Sequence, residues 1–130
     1  MELYATLDRL CSQTGPSGFE GKVAETAKEL LAPLVDEVII DTLGSVIGVR
    51  RCGKPEAKKL LLDAHLDEIG FIVTGYEEGF LRFAPIGGVD PRMLPARELT
   101  IMTKPQPLFG IIACMPSHAQ NGKEKENSIA

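Results

Sequence analysis

The sequence predicts an α/β fragment followed by an all-β module. Two windows near the start repeat apolar residues at helical spacing. A strand with continuous apolar residues follows at Lys59–His65. Beyond Asp67 every apolar run is short and is broken by glycine or proline, with no helix-period window after Leu34. The change of character sets a boundary near Gly70 to Val73, giving units of residues 1–70 and 71–130.

Leu3, Leu7, Leu10 and Cys11 make Glu2 to Gln13 a short amphipathic helix, stopped by Thr14-Gly15-Pro16. Ser17-Gly18-Phe19-Glu20 has the form of a capping box, in which the Ser17 hydroxyl accepts from the Glu20 N–H and the Glu20 carboxylate reaches the Ser17 N–H. It opens a second helix, Phe19 to Leu34, with Val23, Ala27, Leu30 and Leu31 as its buried stripe. Val38–Ile40 and Val46–Val49 are β-branched runs around the turn Asp41-Thr42-Leu43-Gly44-Ser45. Cys52 to Glu56 is a further turn. Leu60, Leu61 and Leu62 then mark a central strand covered on both faces. The second unit carries strands at Ile69–Thr74, Phe80–Ala84, Glu98–Met102 and Leu108–Ala113, with a hairpin turn at Glu77-Glu78-Gly79. These are the strands of a small barrel or sandwich.

Composition narrows the function. The 130 residues are 44% hydrophobic and 25% charged, as in a globular protein rather than a disordered one. Net charge is −4 without a basic block, which argues against a nucleic-acid partner. The N-terminus lacks a signal-peptide pattern. The longest apolar stretch, Leu60 to Val73, is interrupted by Asp63, His65, Asp67 and Glu68, so a membrane helix of ~18 residues is not expected. Cys11, Cys52 and Cys114 form no Cys-x-x-Cys pair, and the natural reading is a reduced, cytoplasmic compartment with Cys52 and Cys114 as apolar fillers. Ser117 to Ser128 reads as a flexible tail or cut edge.

The chemistry concentrates at Leu61-Leu62-Asp63-Ala64-His65-Leu66-Asp67-Glu68-Ile69-Gly70. His65 and Asp67, two apart, share a strand face at the end of a very apolar strand. An imidazole can bind a metal ion through one nitrogen while a carboxylate accepts a hydrogen bond from the other. A His-x-Asp pair is also common as an ordinary half-exposed strand end, and spacing alone does not separate the two readings. One histidine does not make a site, since zinc-type centres use about three protein ligands. His118, the other histidine, lies in the polar tail. Asp63 reads as a partner in an ordinary ion pair, Glu68 as a solvated or capping carboxylate, and Gly87 and Gly88 as turn residues.

Ala64-His65-Leu66-Asp67-Glu68-Ile69-Gly70-Phe71 resembles the first metal-binding motif of the glutamyl and leucyl aminopeptidases, a family of dinuclear metallopeptidases. Some of these form tetrahedral particles, and many carry cellulase or endoglucanase labels. Four more segments resemble the family in order: Gly15–Glu20, Asp41–Val46, Ile86–Asp90 with Leu94-Pro95, and Phe109–Ile112. The resemblance runs to about His118. Ser45 departs from the family's usual asparagine, and Asp63 stands where a small or apolar residue is common.

The resemblance implies part of a three-layer metallopeptidase catalytic domain in residues 1–70, followed by part of an inserted β-barrel-like domain in 71–130 that mediates homo-oligomer assembly. It implies that His65 is a metal ligand and that Asp67 supports it in the catalytic site. It implies two divalent ions, zinc or cobalt, in the complete enzyme, and hydrolysis of N-terminal residues from peptide substrates. The remaining ligands and the glutamate base would lie beyond the point matching Ala130. This chain is therefore expected to bind metal weakly or not at all and to be inactive alone, with Asn127–Ala130 reading as an interruption. Missing partner layers would make it a poor monomer. The alternative is a natural short, non-catalytic assembly or regulatory module. A glucanase is disfavoured because nothing resembles its paired carboxylates.

Overall fold

The computed structural model describes residues 2–114 and residue 118. The readings of the Ser117–Ser128 tail and of Asn127–Ala130 lie outside the described residues, apart from His118, which is exposed. The chain divides into two compact units, Met1–Gly70 and Phe71–Ala130. Among the described residues no helix is long and apolar enough to cross a membrane.

In the first unit, α1 spans Leu3–Cys11 and α2 spans Gly21–Leu31, continued by a 3-10 turn at Ala32–Leu34 that accommodates Pro33 in its first residues. Val23, Ala24 and Ala27 of α2 are buried, while Leu30 and Leu31 are half-buried. β1, Glu37–Ile40, pairs antiparallel with β2, Val46–Val49, Ile39 opposite Ile47. The turn between them is closed by Asp41, whose Oδ1 accepts from the N–H groups of Leu43 (2.9 Å) and Ser45 (2.8 Å). Gly44 follows at φ 91°, a left-handed position that glycine tolerates best. The β1–β2 ribbon packs on α2. A Cβ on Gly48 would lie 3.2 Å from Val35 Cγ1.

The second unit takes all but the first residue of β3, Gly70–Glu77, which pairs with β4, Phe80–Ile86. Glu78 (φ 49°) and Gly79 (φ 92°) make the intervening turn, the double positive φ of a tight hairpin. Phe71 and Phe83 meet edge to face, centroids 4.9 Å apart. β5, Glu98–Ile101, pairs antiparallel with β6, Leu108–Ile111. Two further backbone bonds extend that ladder, Ile112 N–H to Arg97 O and Ala96 N–H to Ile112 O, and Ile112 is buried.

Three expectations are corrected. Lys59–His65 is not a strand: residues 57–67 carry no regular structure, and Leu60, Leu61 and Leu62 are 85–86% exposed. A strand is defined by its ladder, and among the described residues no strand lies beside this segment. The capping box does not form. α2 has no side-chain cap, the Glu20 carboxylate accepts from Gly18 N–H (2.8 Å), and the Ser17 hydroxyl turns to Asp67. Glycine at 18, at φ 87°, lets the loop curl back on Glu20 instead. Finally, Cys52 and Cys114 fill no core; both are exposed, as is Cys11.

Candidate metal centre

The site is assembled from two segments some fifty residues apart. Gly15–Ser17 leaves α1, and His65–Gly70 leads into β3. Glu68 joins them twice: its N–H donates to Gly15 O (3.0 Å) and its Oε1 accepts from Gly15 N–H (2.9 Å). Pro16 and Glu68 form an isolated parallel bridge. Gly70 faces Pro16 so closely that a Cβ there would lie 2.7 Å from the proline Cβ. Glu68 is thus neither a helix cap nor a free solvated carboxylate: it ties its own segment to the Gly15 loop through its side chain and its backbone N–H.

Asp67 sits at the centre of this junction, its side chain 38% exposed. Its Oδ2 accepts from the Ser17 hydroxyl. Its Oδ1 lies 3.0 Å from His65 Nδ1, and its backbone carbonyl lies 2.9 Å from the same nitrogen. Both neighbours of Nδ1 are acceptors, so that nitrogen carries the proton and Nε2 keeps its lone pair. The ring is 85% exposed, so Nε2 is accessible. The Ser17 hydrogen bond is the largest of the causes that hold the Asp67 carboxyl below the usual aspartate range; desolvation opposes it, and the His65 hydrogen bond adds to it.

His65 and Asp67 border an open cleft of about 290 Å³ whose other wall is Leu7, Leu10 and Cys11 of α1. Its size is at the low end for a ligand pocket. Asp63 is exposed and does not join the cluster. Among the described residues no three His, Cys, Asp or Glu side chains come close enough to hold a metal ion together. The donor set offers one oriented imidazole, where a zinc-type centre uses about three protein ligands. Ser17 was missed by sequence reasoning, because its local spacing to Glu20 offered a sufficient role. The only signal was that its loop and the histidine motif both matched one family.

A family model for the M42 glutamyl aminopeptidases matches residues 44–130. The lysyl aminopeptidase of Pyrococcus furiosus is 33% identical, over 97% of this chain and 38% of that protein. The crystal structure of a TET aminopeptidase from the marine sediment archaeon Thaumarchaeota archaeon SCGC AB-539-E09 superimposes with a TM-score of 0.84 at 34% identity, covering 95% of this chain and 34% of that one. PhTET1-12s, a dodecamer in its asymmetric unit, superimposes at 0.75 with 31% identity, covering 93% of this chain and 36% of that one. The chain therefore spans between 34% and 38% of the length of these relatives and shares their mixed helix-and-strand fold. Matched over most of its length by family model, relative and fold alike, the chain belongs to the M42 glutamyl aminopeptidase family.

Proposed function

We propose that this chain is the N-terminal part of a metal-dependent aminopeptidase that removes N-terminal residues from peptides. The observation that carries the reading is the His65 imidazole, tethered at Nδ1 by Asp67 and open at Nε2, in a chain of this family. Residues 1–70 are part of the catalytic domain, and residues 71–130 are part of an inserted β-barrel-like domain through which the protein assembles with copies of itself. The dodecameric relative supports the assembly. The compartment is the cytoplasm, in keeping with three free cysteines.

In the complete protein His65 Nε2 would hold one of two divalent ions, zinc or cobalt, both of which accept imidazole. When bound, such ions would supply Lewis-acid chemistry, lowering the pKa of a water and polarising a carbonyl. Asp67 keeps the proton on Nδ1 and so keeps Nε2 a ligand. Glu68 fixes the segment to the Gly15 loop, which holds both side chains at the edge of the cleft. The further ligands and the general base come from residues outside this chain, so the chain alone is inactive and binds metal weakly.

The test combines metal titration with hydrolysis of a panel of aminoacyl-anilides, using cobalt or zinc, a chelated control and His65→Ala. Weak cobalt binding that disappears in His65→Ala, with no turnover, is the expected result. Cobalt binding indifferent to His65→Ala would sink the ligand assignment. Metal-dependent turnover abolished by that substitution would overturn the inactivity of the chain and mean that a second copy completes the site.

A further inference from the structure

We propose that Ser17 is a positioning residue for the His65 imidazole, acting through Asp67. The positioning is a property of the metal-free chain; its value for catalysis rests on the function proposed above.

The Asp67 carboxylate divides its oxygens between two partners. Oδ2 accepts from Ser17, and Oδ1 faces His65 Nδ1. A carboxylate terminal torsion is broad and two-fold, so one contact does not fix its plane. Two contacts on different oxygens do. With the plane fixed, Oδ1 and the Asp67 carbonyl bracket Nδ1, and the lone pair of Nε2 points to solvent. Without Ser17, the carboxylate is free to turn toward water, and the exposed ring keeps only the backbone carbonyl as its acceptor.

Ser17 has no competing duty. Its hydroxyl does not cap α2, which starts without a side-chain cap. Its loop is held in place by other contacts: Gly15 is bonded twice to Glu68, once to its backbone N–H and once to its carboxylate, and Pro16 bridges to it. These contacts survive removal of the Ser17 hydroxyl, so Ser17→Ala should leave the loop where it is. Its effect falls on the orientation of Asp67. Threonine keeps the hydroxyl and should restore the effect; alanine should not.

The experiment reads the His65 tautomer directly, by long-range proton–nitrogen NMR on the metal-free 130-residue chain carrying His118→Gln so that one imidazole reports. His65 is expected to hold its proton on Nδ1. Ser17→Ala is expected to move population toward the Nε2–H form that free histidine prefers, with the chain still folded, and Ser17→Thr to reverse the change. Cobalt affinity should fall about threefold to tenfold in the alanine variant, less than the ~10–100-fold of a direct outer-shell partner. An Nε2–H tautomer in the parent chain overturns the proposal even if the alanine variant fails to fold. So does a Ser17→Ala tautomer identical to the parent's. Loss of cobalt binding in His65→Ala with no tautomer change in Ser17→Ala sinks Ser17 alone. A tautomer change in Ser17→Ala, with cobalt binding indifferent to His65→Ala, upholds Ser17 and sinks the ligand reading.

Discussion

Two acceptors from one residue converge on His65 Nδ1, and this is the arrangement the proposed ligand role would use. The arrangement depends on the charge of Asp67, and its pH dependence follows from the depressed carboxyl. A carboxyl whose folded pKa lies below its unfolded value stabilises the fold above the unfolded value. That contribution is lost as pH falls through the folded one. The Ser17–Asp67–His65 chain should therefore be intact at neutral pH and open only below about pH 4. A carbon-13 titration of the Asp67 carboxyl in the metal-free chain checks this. Its midpoint should lie below that of an ordinary aspartate and rise in Ser17→Ala, since the serine hydrogen bond is the largest cause of the shift. A midpoint unmoved by that substitution would contradict the assigned cause. The His65–Asp67 half of this chain was legible in sequence, because a spacing of two is a local fact. Ser17 was not, because its partner lies fifty residues away and Glu20 offered it a nearer one.

At the scale of elements, the junction between the Gly15 loop and the His65 segment is set by backbone contact, and Gly70 is where the contact is tightest. A methyl group there would meet Pro16 Cβ at 2.7 Å, between two rigid groups with no flexible end to yield. Gly70→Ala should cost about 1–3 kcal/mol, the usual range for overpacking, read as a lower denaturation midpoint. The tautomer of His65 should change with it, because the loop carrying Ser17 must move. A fully stable Gly70→Ala chain would mean the two segments are not in register as described. Elements held by local pattern were readable in advance. Val46–Val49 has the bounds its β-branched run predicted, α2 buries Val23 and Ala27, and the turn at Glu78 and Gly79 is where its residues placed it. Lys59–His65 was not, because its apolar run specifies a buried strand only when other strands flank it. Leu60, Leu61 and Leu62 keep the chemistry of such a strand and lack the ladder.

For the whole molecule, those three leucines are a contiguous, highly exposed apolar run among the described residues. Buried, they would contribute about 5–9 kcal/mol at ~1.5–3 kcal/mol each, comparable with the ~4–15 kcal/mol that association costs, so they favour contact between copies. The opposing force is charge: the chain carries a net −4 and has a pI near 5.2, so repulsion is weakest close to pH 5. Association should increase as pH falls from 8 toward 5, measured by sedimentation velocity. Leu61→Lys separates the two forces. It brings the net charge from −4 to −3, so a charge-controlled association would strengthen at neutral pH. It also places an ammonium in the middle of the apolar run, so an association driven by leucine burial would weaken. Leucine burial outweighs the loss of one unit of net charge, and the lysine variant should be the more monomeric of the two. Because Leu61 is 86% exposed, folding of the chain should be nearly unaffected, within the ~0.5 kcal/mol of an ordinary surface change. Stronger association in Leu61→Lys would mean that Leu60–Leu62 is not the contact surface, and that the apolar residues of β3, such as Ile72, are the next to test.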